Sequence, residues 1–326
     1  MGSHSIALPL LEHLLLEHLL LGSEWGGILS GVVTQPDRRS GRGQKLLPNS
    51  VARWAMEHSI PLFRPEKPRE ETVKWMGESG CDLILVMAYG HILGKAVREL
   101  PGRGIFNFHA SLLPRFRGAA PIEAAIASGV SETGISLMEV VKEMDAGDVL
   151  DREAVAIESA DNVASVTQKL SLAAKEILKR NLHSLLEGTF RREVQDPLGV
   201  TFCRKVEKGD MGLNFHHPAR ELIWRIRALT PHPGCMIGVG GEFCKIESER
   251  WFEDISCEPC QIFLHGDRWC IGCGRRSAIV IGSLQKPGKK MLPVEIFFNG
   301  HRDFFEHRWV ENFGAMRPFE SKVFPF

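Results

Sequence analysis

Cysteine is scarce in this chain, with eight residues in 326. That density is too low for a disulfide scaffold and suits reduced thiols. No uninterrupted apolar run of membrane length is present. The nearest candidate, residues 6–21 (IALPLLEHLLLEHLLL), contains Glu12, His13, Glu17 and His18. No basic residue precedes it and no small-residue cleavage site follows, so neither a signal peptide nor a membrane span is expected. The repeated LLEHL suits an amphipathic helix with a wide apolar face, and the cytoplasm is the expected compartment. An excess of charge is also missing: Lys+Arg and Asp+Glu are both 40. A polycation is excluded, and any nucleic-acid contact must come from local basic patches.

What is present suits a globular protein. The chain is 44% hydrophobic and 25% charged, and its length suits two domains. In the first half, apolar runs of strand length alternate with helical patterns. Strands are expected at 28–34, 61–63, 82–88, 104–108, 133–140 and 149–157, and helices at 49–58, 70–76, 119–128 and 162–186. Strands without polar alternation, separated by helices, predict an α/β Rossmann-like fold with a mostly parallel sheet covered on both faces. The texture changes after Gly188. A helix at 218–229 is followed by short apolar runs with turn punctuation, at 236–239, 243–246, 261–264, 269–271 and 278–284, the pattern of a small β-barrel. The expected division is a catalytic domain over 1–190, a linker over 191–207, an OB-like domain over 208–312 and a tail over 313–326. The part from Arg204 onward carries a net charge of +3 and the preceding part −3.

Residues 106–121 (FNFHASLLPRFRGAAP) are the most informative stretch. Asn107 and His109 are two apart on a strand, so both point to one side. They sit at the carboxyl end of an expected parallel strand, where open α/β sheets place ligands. An amide and an imidazole can supply an oxyanion donor and a proton-transfer group. Asp145, in a Gly-containing loop after the next strand, is a candidate partner for the imidazole. Spacing alone equally suits a histidine satisfied as a polar group at a strand end. A second feature is the loop 34–48, which carries Arg38, Arg39, Arg42 and Lys45 against Asp37. It suits a solvated surface loop or a flexible phosphate-contacting one. Lys286, Lys289 and Lys290 form another basic cluster. Arg225 and Arg227, two apart on a helix, point in different directions, so only one need face RNA.

At this point the chain resembles the methionyl-tRNA formyltransferases, within the wider formyltetrahydrofolate-dependent formyltransferase superfamily, over nearly its whole length. The matching motifs are 31–37 (GVVTQPD), 41–43 (GRG), 88–90 (AYG), 107–109 (NFH), 111–114 (SLLP), 117–121 (RGAAP), 145–148 (DAGD), 225–229 (RIRAL), 233–234 (PG) and 285–290 (QKPGKK). The resemblance implies transfer of the formyl group of 10-formyltetrahydrofolate to the methionine amine of initiator methionyl-tRNA. It implies that Asn107 and His109 stabilise the tetrahedral oxyanion and that Asp145 orients His109. It also implies that Ser111, Leu112, Leu113 and Pro114 line the folate site near Tyr89 and Gly90. Both basic clusters would contact tRNA, no metal would be needed, and the enzyme would act as a monomer. Two rivals stand beside this reading. One is a folate-dependent formyltransferase acting on an amino-sugar nucleotide or glycinamide ribotide. The other is a non-catalytic zinc- or RNA-binding protein.

The zinc rival rests on Cys257, Cys260, Cys270 and Cys273, two CxxC pairs flanking an expected turn at 264–268. A two-residue gap in a strand puts each pair on opposite faces unless the strand ends there, which favours buried thiols, as for Cys81, Cys203, Cys235 and Cys244. Compared with the family, Phe116 stands in place of a usual Trp and Ala110 in place of a usual Gly. The family opens with an apolar strand, whereas residues 1–10 align with the loop and helix that follow it. An absent central strand is therefore expected, with unpaired backbone on both neighbours, and an added apolar strand should raise stability and activity.

Overall fold

The computed structural model describes residues 1–21, 28–40, 43–314 and 316–322. The chain forms two units, one of Met1–Ala119, Thr133–Val155 and Thr167–Thr201, the other of Ala120–Glu132, Ala156–Val166 and Phe202–Phe326. Residues 191–201, read from the sequence as linker, belong with the first unit, where Glu193 and Val149 exchange backbone hydrogen bonds of 2.9 Å.

The first half contains α1 (Leu8–Leu21), β1 (Val32–Val33), β2 (Arg38–Ser40), β3 (Lys45–Leu47), α2 (Ser50–Glu57), β4 (Leu62–Phe63), α3 (Glu70–Glu78), β5 (Ile84–Val86) and α4 (Lys95–Arg98). It continues with β6 (Ile105–His109), β7 (Arg117–Gly118), α5 (Pro121–Ala127), β8 (Glu132–Glu139), β9 (Val149–Ala156) and α6 (Val163–Glu187). Strands β5, β6, β8 and β9 form one sheet in that order. The pair β5–β6 is parallel, as is β1–β4, but β6–β8 is antiparallel. The sheet is thus mixed, parallel on the side that the alternating strand–helix pattern covers and antiparallel where β8 follows α5. Helix boundaries follow local chemistry: the Asn49 side chain accepts the Ala52 amide at 3.0 Å and caps α2. Along α6, Leu170, Ala174, Ile177, Leu178 and Leu185 recur at helical spacing and are all buried.

Among the described residues, Met1 and Gly2 lie between β1 and β5. Gly2 N donates to Val33 O at 3.1 Å, and Met87 N donates to Met1 O at 2.9 Å. Two residues therefore stand where the sequence analysis expected an absent strand. Beside them is a cavity of about 790 Å³, lined among others by Leu10, Leu14, Val33, Ile84 and Leu182. The Met1 amino group donates to Leu85 O, and burial lowers its pKa to about 6.

The second unit is built largely from antiparallel strands. It contains β10 (Phe202–Cys203), α7 (Ala219–Leu229), β11 (Cys235–Val239), β12 (Glu242–Glu247), β13 (Trp251–Phe252), β14 (Ile262–His265) and β15 (Arg268–Cys273). Then come β16 (Ser277–Val280), β17 (Ser283–Gln285), β18 (Leu292–Pro293), α8 (Val294–Gly300), α9 (Arg302–Glu306) and β19 (Glu320–Ser321). Two four-stranded sheets run β11-β12-β17-β18 and β13-β16-β15-β14. The tail returns to its own unit: β19 pairs with β10, and Phe319 is buried. Among the described residues no helix is long and apolar enough to cross a membrane.

Candidate active site

Strand β6 sets the site. Phe106 and Phe108 are buried on one face, while Asn107 and His109 alternate to the other, paired with Met138 and Ser136 of β8. His109 is only 6% exposed, and its two ring nitrogens each face an oxygen. Nε2 lies 2.8 Å from Phe116 O, and Nδ1 lies 3.6 Å from Asp145 Oδ2. The Asp145 carboxylate also accepts the Gly118 amide at 2.8 Å. The Asn107 side chain is half-buried and has no hydrogen-bond partner among the described residues.

The loop after β6 is held at several points. Ser136 Oγ donates to Ser111 O at 2.7 Å and accepts from Leu113 N at 3.0 Å. Ser111 Oγ donates to Arg115 O at 2.6 Å, and Phe116 N donates to Thr201 Oγ1 at 2.9 Å. The Leu113–Pro114 bond is cis. Ser111 and Leu113 are buried, whereas Leu112 and Pro114 are half-buried.

Asp145 takes a left-handed backbone, with φ 50°, and a buried glutamine supports it. Gln195 Nε2 donates to Asp145 O at 2.9 Å and to Gly147 O at 2.7 Å. Its Oε1 accepts from Arg117 Nε at 3.1 Å and Nη2 at 2.8 Å. Burial pulls the Arg117 guanidinium pKa down, and Asp145 pulls it back up. Gly147 tolerates no side chain, since a Cβ there would lie 2.0 Å from Glu139 O. Gln195 carried no sequence signal beyond being a polar residue in an expected linker. Only the fold reveals that it is 5% exposed beside Asp145.

Tyr89 and Gly90 sit on a second polar network. Gln35 Nε2 donates to Tyr89 O at 2.8 Å, and Asn49 Nδ2 donates to Gln35 O at 3.0 Å. Gly90 has φ +76°, and a Cβ there would meet Gln35 Nε2 at 2.7 Å. The Tyr89 hydroxyl is buried without a hydrogen-bond partner, and burial pushes its pKa up to about 12.

The basic residues are dispersed. The expected flexible loop is a hairpin instead: β2 pairs with β3, setting Arg38 opposite Leu47 and Arg39 opposite Leu46. Arg38, Arg39 and Lys45 are exposed, while Arg42 lies outside the described residues. Lys286 is half-buried in an ion pair with Glu242 at 2.6 Å, whereas Lys289 and Lys290 are exposed. The expectation that one of Arg225 and Arg227 faces RNA is corrected. Both are buried, at 5% and 8% exposure. Arg225 bonds Asp210, and Arg227 donates to the carbonyls of Asp161 and Glu158. The helix stripe that buries Leu222, Ile226 and Leu229 turns both guanidiniums inward, where backbone and carboxylate oxygens accept them.

Comparison with known proteins settles the family. Residues 14–182 match the formyl transferase family, and residues 205–302 match the formyl transferase C-terminal domain. The methionyl-tRNA formyltransferase of Parvibaculum lavamentivorans is 37% identical over 304 residues, covering 92% of this chain and 95% of the relative. The chain belongs to the methionyl-tRNA formyltransferase family. The Staphylococcus aureus methionyl-tRNA formyltransferase is 34% identical over 92% of this chain and 94% of its own. The fold is that of formyltransferases more widely. An N-formyltransferase from Helicobacter canadensis, solved with folinic acid and dTDP-3-aminofucose, superposes with a TM-score of 0.64 at 17% identity, covering 87% of this chain and 97% of that one.

In this formyltransferase the four hairpin cysteines are free thiols, with Cys273 within electrostatic reach of the other three. On β15, Cys270 pairs across from Val280 and Cys273 from Ser277, and both are buried. Burial pushes the Cys270 pKa up to about 11 and the Cys273 pKa to about 12. Among the described residues no three His, Cys, Asp or Glu side chains are grouped to hold a metal ion.

Proposed function

We propose that this chain transfers the formyl group of 10-formyltetrahydrofolate to the α-amino group of methionine on initiator tRNA. The observation that carries the reading is the Asn107–His109–Asp145 face at the end of β6, in a chain whose full-length relatives are methionyl-tRNA formyltransferases. The neutral methionine amine attacks the formyl carbon, and a new C–N bond forms. The carbonyl oxygen takes the displaced electron pair as an oxyanion. The free Asn107 amide donates a hydrogen bond to it, and the His109 imidazole does so once its Nε2 turns from Phe116 O. Asp145 orients the imidazole and receives the amine proton, directly or through water. The bond from the formyl carbon to the folate N10 then breaks, and N10 takes up the proton. Ser111, Leu112, Leu113 and Pro114 hold the folate together with the Tyr89–Gly90 backbone. Arg38, Arg39, Arg42 and Lys45, with Lys289 and Lys290, contact tRNA phosphates, and Lys286 joins them by leaving Glu242. One chain suffices for the reaction.

The test is direct. The purified protein is given 10-formyltetrahydrofolate with charged initiator tRNA or with amino-sugar nucleotides, and formyl transfer is followed. Transfer to methionyl-tRNA is expected; transfer to a sugar alone would overturn the reading.

A further inference from the structure

The second unit carries a groove of its own. It has a volume of about 400 Å³ and is lined by Lys208, Met211, Met236, Phe243 and Phe313, with Gly212 between them. Phe243 is 42% exposed and presents its ring to the groove. Its ring stands 5.8 Å from Phe313 at an angle of 48°, so the two faces flare apart rather than stack. Strand alternation explains the lining. Cys244 and Ile246 of β12 point into the core, which turns Phe243 and Lys245 outward, with Met236 opposite Lys245 on β11. Gln285 pairs with Lys245 on the other side and holds the Lys289 carbonyl at 2.8 Å. Gly212 is required here, because a Cβ would come within 2.6 Å of Phe313.

The charges around the groove are unbalanced. Lys208, Lys245, Lys289 and Lys290 have no ion pair among the described residues. Of the nearby acids, Glu242 is taken by Lys286, and Glu311 accepts the Gly241 amide. Asp210 is taken by Arg204 and Arg225. Open aromatic faces flanked by unpaired ammonium groups are the chemistry that holds an unpaired nucleotide, with the base on the ring and the phosphate on the amine. An apolar peptide would use the rings and thioethers but leave the amines without partners.

We infer that this groove binds one unstacked nucleotide of the tRNA, its base against Phe243 and Phe313 and its phosphates near Lys208 and Lys245. The inference rests on the tRNA reading above and adds a base-stacking subsite to it. Stacking of this kind is sequence-tolerant, so the groove adds affinity for the tRNA body without selecting a base.

The experiment uses the full chain. Formylation kinetics are measured for wild type, Phe243→Ala, Phe243→Leu and Phe243→Trp, with binding of a ten-nucleotide single-stranded RNA followed by anisotropy. The Ala and Leu variants should raise KM for charged tRNA about five- to tenfold or more and weaken the oligonucleotide equally. Turnover at saturating tRNA and KM for the folate should stay at wild-type values. Tryptophan should restore both. Leucine keeps the apolar contact and loses the ring face, so a Leu variant equal to wild type would overturn the inference, as would an unchanged KM in all variants. If no tRNA is formylated by wild type but oligonucleotide binding still depends on the ring, the substrate reading fails and the groove stands. Normal formylation with ring-independent binding has the opposite meaning.

Discussion

At the residue scale, the site is a set of oxygens arranged around one imidazole. Removing that ring in His109→Ala is expected to lower turnover by roughly a hundredfold or more, measured by single-turnover formylation. Gln195 touches no reacting atom and acts by holding Asp145 and Gly147. Gln195→Ala should lower kcat by roughly ten- to a hundredfold through misplacement of Asp145. The KM for folate should change little, and the pH–rate profile should shift where a purely structural loss would leave it in place. Legibility divides the same way. The meeting of His109 and Asp145 was readable because strand parity, a glycine-marked loop and the family's motifs leave marks in the sequence. Gln195 was not, because its role comes from an approach 50 residues away from Asp145 in the chain. Arg225 and Arg227 were misread because i, i+2 spacing says that two side chains diverge, not that either reaches water.

At the element scale, the apolar runs located β6, β8 and β9 at nearly full length, missed the short β7, and overestimated β1 and β5. The run at 28–34 yields only Val32–Val33, and the run at 82–88 only Ile84–Val86. Among the described residues, Met1 and Gly2 provide the pairing partners between these two strands. A strand exists by virtue of its neighbours, which a local pattern does not contain. Four or five apolar residues added before Met1 should run between β1 and β5, fill the 790 Å³ cavity and raise Tm, as checked by calorimetry. The hairpin β2–β3 is a further difference from the expected loop, with Arg38 and Arg39 presented from paired backbone.

At the scale of the whole molecule, the zero net charge conceals two kinds of cation. Some are spent internally: Asp210, 1% exposed, is bonded by Arg204 at 2.6 Å and Arg225 at 3.2 Å, and both guanidiniums lie over the Phe319 ring. These partners hold the Asp210 carboxyl below its usual pKa against the opposing pull of burial. Its contribution is present above the ordinary carboxylate range and lost as pH falls through the depressed value. Asp210→Ala strands buried guanidiniums and should cost about 3–5 kcal/mol in chemical denaturation. If, as proposed, the exposed cations contact tRNA phosphates, added salt should raise KM for tRNA steeply while barely moving KM for the folate.

The interleaving of the two units bears on how the chain can be cut. Segments Ala120–Glu132 and Ala156–Val166 precede the second unit in sequence but belong to it. Glu158 and Asp161 receive Arg227 through their carbonyls, and Gly129 lies under the Trp224 ring. A truncation after Thr201 would thus amputate the partners of two segments it retains. Proteolytic trimming should yield no stable amino-terminal fragment, although the motifs divide neatly along the sequence. The protein is modular as text and indivisible as an object.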